Sequence, residues 1–157
     1  MAADMERSTT GVLQGIWIKR AHRGKMDPVR DAELVEGQGV VGGVDRSRRR
    51  QVTILSREAW DACMTELGTS LDPSARRANL LVSGLDLEAT RDRVLVIGKA
   101  RLVVGGEVTP CERMEEACAG LQAVMRPHWR GGAFARVIAS GAIHVGDVVR
   151  WADDTDE

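Results

Sequence analysis

Apolar residues gather in short runs separated by glycines or charged clusters, a rhythm of many brief strands joined by tight turns. Ile16-Trp17-Ile18 marks a strand over 11–19, and Gln51-Val52-Thr53-Ile54-Leu55 is a compact β-branched strand. Residues 32–41 read as a short strand followed by glycine turns, whereas 20–31, charged and broken by Gly24 and Pro28, reads as a loop able to border a site. Three further strands are expected over 79–84, 94–98 and 101–105, and two more over 134–139 and 143–151, with Ser140-Gly141 allowing a hairpin and Gly146-Asp147 a further turn or bulge.

Two segments depart from this rhythm. Ser56 offers a hydroxyl cap to a helix through Leu67, Gly68 supplies its stop, and Ala59, Trp60, Cys63, Met64 and Leu67 share one face, which places Cys63 in the core. Asp72-Pro73 can cap a short helical turn. After Cys111, the positions Met114, Ala117, Cys118, Leu121, Val124 and Met125 trace one helical face that Pro127 ends, so Cys118 too is expected inside. The expectation is a mainly β fold with a few accessory α-helices.

A chain of 157 residues fits one domain able to bury about 70% of its unfolded surface. Residues 1–10 are polar and expected to fray, 11–151 form the domain, and 152–157 make an acidic tail. A net charge of −1 with 43% hydrophobic residues resembles neither a nucleic-acid polycation nor a disordered tail. Only 3% of residues are aromatic, so aliphatic side chains must fill the core. The three cysteines lack paired spacing and no basic-then-apolar leader is visible, which fits a reducing cytoplasm. No apolar run approaches the ~20 residues that span a bilayer, so membrane insertion is not expected.

Chemistry centres on Cys111, set between Pro110 and Glu112-Arg113 at an expected helix start, where the backbone dipole and free N–H groups favour thiolate. The competing explanation is a small buried hydrophobe. Arg77 and Asn79 lie two apart at a strand entrance and would point the same way if extended, making an anion clamp. The arginine fork suits phosphate or carboxylate, and the amide can donate and accept toward a heterocycle edge. The alternative pairs Arg77 with Asp72 or Asp86 and leaves Asn79 satisfying a turn. Arg76, without that spacing, reads as a solvated arginine near the cap.

Cys111, Cys118 and His128 do not match structural-zinc spacing, so zinc is disfavoured. His22 and His144 read as surface and strand packing. Arg46, Arg48, Arg49 and Arg50 form the densest basic patch; lacking interleaved aromatics, it fits a solvated loop or a small anionic ligand better than nucleic acid. Trp129 either shapes a ligand mouth or covers a hairpin.

The order Arg77-x-Asn79-Leu80-x-Val82-x-Gly84-x-Asp86-Leu87, then Gly98, Pro110-Cys111, Gly131-Gly132-x-Phe134-Ala135-x-Val137 and Gly141-x-Ile143-x-x-Gly146-Asp147 resembles the MOSC pattern over about 11–151. MOSC denotes the molybdenum cofactor sulfurase C-terminal domain. The resemblance implies a closed or nearly closed β-barrel, often a small stand-alone bacterial protein, that binds the molybdenum cofactor (molybdopterin) or handles sulfur. The family cysteine matches Cys111, as molybdenum ligand or persulfide acceptor, with Arg77 and Asn79 at the cofactor. Family members are joined to pyridoxal-phosphate desulfurases and to molybdenum-dependent reductases, so a reductase or sulfur transferase is implied, with a cysteine desulfurase or molybdoenzyme as partner. The alternative is a non-catalytic module for a small anionic metabolite. Where the family has an acidic residue before its Arg-x-Val-x-Leu strand, this chain has Gly43, and Asp45 stands two residues away.

Overall fold

The computed structural model describes residues 10–44 and 47–153. Asp45 and Arg46 lie outside the described residues, as do most of the amino-terminal segment and of the acidic tail.

Eleven strands form among the described residues: β1 (Thr10–Lys19), β2 (Met26–Val29), β3 (Asp31–Val35), β4 (Gly39–Val40), β5 (Val52–Ser56), β6 (Leu80–Ser83), β7 (Val94–Ile97), β8 (Ala100–Glu107), β9 (Ala133–Ala139), β10 (Gly141–His144) and β11 (Val148–Trp151). Helices α1 (Arg57–Leu67), α2 (Glu112–Ala117) and α3 (Leu121–Met125) are joined by 3₁₀ turns at Pro73–Arg76 and Pro127–Trp129. Hydrogen bonding runs β11-β7-β8-β9-β5-β6-β1, and β1 pairs again with β11, closing a seven-stranded barrel. Closure removes the exposed edges that an open sheet would carry. β2 hangs on β1 outside the ring, and β10-β3-β4 form a separate small sheet.

Side-chain alternation explains the core. Along β8 every second residue is buried, so Ala100, Leu102 and Val104 fill the barrel with Leu13, Leu80 and Leu95. β5 and β6 are parallel and buried on both faces. Ile54 and Leu80 enter the barrel cluster, while their neighbours Leu55 and Leu81 join Trp60, Cys63, Met114, Leu121 and Met125 beneath the helices. α1 is capped as expected: the Ala59 N–H donates to Ser56 Oγ at 3.2 Å and Gly68 turns left-handed with φ 63°. No helix among the described residues is long and apolar enough to cross a membrane.

Three expectations are corrected. The charged segment 20–31 contains β2, whose Pro28 is tolerated because the strand pairs on one side only, with β1. The single helix after Cys111 is two short ones, because Cys118 is extended and Gly120 adopts φ 88°; Cys118 is half-buried against the helical cluster. Residues 143–151 divide at the expected Gly146-Asp147 turn, but β10 forms no hairpin with β9 and pairs with β3 instead. Gly141 permits this departure, since a β-carbon there would stand 2.6 Å from the Ala100 nitrogen.

Candidate functional site

Because β5 and β6 run parallel, their N-terminal ends lie together, beside the end of β1. The segment entering β5, the 3₁₀ turn entering β6 and the start of α2 enclose a cavity of about 330 Å³ there. Lys19, Arg50, Arg76, Arg77 and Arg113 line it with Asn79 and Cys111, and no carboxylate does among the described residues. So concentrated a positive wall attracts anions.

Arg77, Asn79 and Cys111 are thus brought together, but not as an extended clamp. Arg77 caps the 3₁₀ turn with φ 64°, its N–H donating to Ser74 O at 3.0 Å, so the two side chains do not share one strand face. Its Nη2 is buried and has no hydrogen-bond partner among the described residues. An orphaned charged donor of this kind is costly unless an acceptor arrives. Asn79, in contrast, is buried and committed. Its Oδ1 accepts from the Thr53 N–H at 3.0 Å and from Thr53 Oγ1 at 3.2 Å, and its Nδ2 donates to Trp17 O at 3.2 Å. It ties the starts of β5 and β6 to β1.

Arg76 overturns its reading as a solvated arginine. It is buried, donating from Nε to Gly131 O at 2.9 Å and from Nη2 to Val108 O at 3.2 Å, which straps the segment leading to Cys111. Gly131 makes room for this strap: a β-carbon would stand 2.3 Å from Val108 O. Burial pushes the Arg76 guanidinium below its usual range, and the nearby Cys111 opposes that shift. Local spacing carried no signal for Arg76, because its acceptors lie 55 and 32 residues away.

Cys111 is exposed and free, the cap residue of α2, with no side-chain capping bond. The helix dipole does little for it: α2 has six residues and Glu112 and Glu115 in its first turn. Cations across the cavity supply the positive surroundings instead. Cys63 is fully buried and its thiol pKa is pushed up by desolvation, which makes it an inert core residue. Among the described residues no three of His, Cys, Asp and Glu converge, so Cys111, Cys118 and His128 form no metal cluster. Gly43 does not line the cavity; its N–H closes a turn on Val40 O at 3.1 Å. Trp129 packs against the barrel cluster.

At the opposite ends of β5 and β6 lies a shallower cleft of about 550 Å³, lined by Ser56, Glu58, Gly84, Asp86, Glu88 and His128 among others. The Glu58 carboxylate accepts the Gly84 N–H at 3.1 and 3.2 Å, and Glu88 pairs with His128 at 3.2 Å.

The MOSC domain family model matches residues 21–150. Among solved structures, the YuaD protein from Bacillus subtilis is similar at a TM-score of 0.79 and 20% identity, covering 92% of this chain and 97% of that one. YiiM from Escherichia coli follows at 0.68 and 18% identity, covering 97% of this chain and 72% of that one. YiiM from Geobacillus stearothermophilus gives 0.66 and 18%, with coverage of 91% and 73%. At these identities the structures speak for the fold. No curated protein sequence matches the chain.

Proposed function

Since this chain belongs to the MOSC domain family, which is associated with molybdenum-cofactor binding or sulfur handling, we propose that its basic cavity binds the molybdenum cofactor. In this reading the Cys111 thiolate is a metal ligand and Arg77 receives the cofactor's phosphate. The observation that carries it is the buried Arg77 Nη2, without a hydrogen-bond partner among the described residues, in a cavity whose wall also holds Cys111.

Two further features support the fit. A volume of about 330 Å³ lies in the range of small-ligand pockets, ~300–1,000 Å³. One soft thiolate cannot hold a bare ion, but it can complete the shell of a metal that brings its own sulfur ligands. When bound, the cofactor would supply a redox-active, sulfur-binding metal centre. The protein's part is to present Cys111, to strap its segment through Arg76, to receive phosphate at Arg77, and to hold the cavity floor through Asn79. The test is metal and pterin analysis of wild type and Cys111→Ala purified from molybdenum-replete cells. Wild type should retain both components and the variant should lose metal; equal retention would sink the ligand role.

The exposure of Cys111 supports a second reading, sulfur relay. Its thiolate would attack the terminal sulfur of a cysteine desulfurase persulfide, the donor S–S bond would break, and the donor cysteine would leave as thiolate, giving a Cys111 persulfide. Mass spectrometry after exposure to a charged desulfurase should then find one added sulfur on Cys111. Its absence beside a working control acceptor would reject the relay.

A further inference from the structure

A second cleft, of about 590 Å³, adjoins the basic cavity, and the two share Ser47 and Arg50 as wall residues. Arg48, Arg49 and Phe134 complete its lining. Phe134, the only phenylalanine of the chain, packs so tightly on the β8 backbone that a β-carbon at Gly105 would stand 2.5 Å from its ring, and one at Gly106 3.2 Å. Over this ring stand the guanidinium groups of Arg50, 4.9 Å from the ring centre, and Arg49, at 6.0 Å. The result is a guanidinium layer backed by an aromatic ring beside an anion cavity, with no carboxylate lining either space among the described residues. Aromatic and guanidinium planes stack on nucleobases, and arginine forks bind phosphate.

We propose that the Phe134 cleft is a nucleotide subsite continuous with the basic cavity: the base of a nucleoside diphosphate stacks on the guanidinium layer that Phe134 supports, its nearer phosphate meets Arg50, and its distal phosphate enters toward Arg77. The proposal rests on the anion-binding reading of the inner cavity and adds a class of ligand too long for that cavity alone. Arg50 lines both spaces and bridges the two phosphates.

Calorimetric titration of the full chain with ADP, inorganic pyrophosphate and adenosine tests it. ADP should bind about tenfold more tightly than pyrophosphate, reflecting one stacked base, and adenosine more weakly than either. Phe134→Leu should remove the ADP preference while leaving pyrophosphate affinity within about twofold. Arg49→Ala repeats the test at an exposed residue if the phenylalanine variant folds poorly, and should also narrow the preference. Equal wild-type affinity for ADP and pyrophosphate, or parallel loss of both in these variants, overturns the nucleotide subsite. Arg77→Met separates the inner anion site from the outer subsite. A pyrophosphate affinity unchanged by it overturns the inner anion site, whereas equal wild-type affinities for ADP and pyrophosphate, with Arg77→Met still weakening pyrophosphate, overturn the outer subsite alone. Absence of binding by every probe overturns both. A single-stranded oligonucleotide that outcompetes ADP also overturns the proposal, because the patch would then be tracking a polymer backbone.

Discussion

At the N-terminal ends of β5 and β6 a cavity of about 330 Å³ is walled by five basic side chains, whereas at their C-terminal ends a cleft of about 550 Å³ is lined by Glu58, Asp86 and Glu88. Those three carboxylates outnumber the cations of the cleft, Arg130 and His128, so the same parallel pair ends in opposite charge. The larger space is the poorer candidate, because its Glu58 is committed to the Gly84 N–H and its Glu88 to His128. The smaller one holds a buried charged donor without a partner among the described residues and an exposed thiol. Uncommitted polar groups, more than volume, mark where a ligand belongs.

The sharpest way to break this contrast is to remove what shapes the basic end. Arg76→Met leaves the Gly131 and Val108 carbonyls unanswered and should cost about 3 kcal/mol, read as a lowered urea midpoint. A loss under about 1 kcal/mol would mean that the strap is dispensable.

Arg77→Met should act the other way. Stability should hold or rise by up to about 1 kcal/mol, since the lost Nη2 has no partner among the described residues and its burial is costly, while pyrophosphate affinity falls at least about tenfold. A variant that unfolds without losing affinity would make Arg77 structural.

Glu58→Gln probes the acidic end. It weakens the bond to Gly84 and should cost about 0.5–1 kcal/mol in a urea titration, with pyrophosphate binding untouched. Altered anion binding would show that the two ends are coupled.

The smallest effect belongs to a pair remote from both. His144 Nδ1 lies 2.6 Å from Asp31 Oδ1, and this bond raises the His144 pKa above 6.5. The folded pKa exceeds the unfolded one, so the pair's contribution is fully present below about pH 6.5 and is lost as pH rises through the folded value. Both side chains are exposed, which keeps the effect small and salt-sensitive. The urea-midpoint gap between wild type and His144→Asn should shrink from pH 5.5 to pH 9; a gap that widens contradicts the assignment.

The strands were legible because short apolar runs and glycine punctuation are local signals, whereas the closed barrel was expected only from the resemblance that the ordered motifs carried. Ser56, Leu67 and Gly68 announced α1 for the same reason. The break at Gly120 was hidden by an apolar pattern that runs through both α2 and α3, since periodicity does not register one left-handed residue. Cys111 was found from its neighbours, although the helix behind it is too short to supply the expected field. Arg77 and Asn79 were selected as equals, yet one keeps a free donor and the other has its amide bound to Thr53 and Trp17, a distinction created by a positive φ and by contacts distant in sequence. Arg76 was misjudged because only closure of the barrel brings its carbonyl partners to it.

Whether Cys111 is a metal ligand in the basic cavity is decided by thiol alkylation, read by mass spectrometry, on cofactor-loaded and cofactor-stripped protein. The account predicts that Cys111 is protected only in the loaded protein and carries no added sulfur, while Cys118 reacts equally in both. Equal alkylation of Cys111 in the two preparations would contradict it.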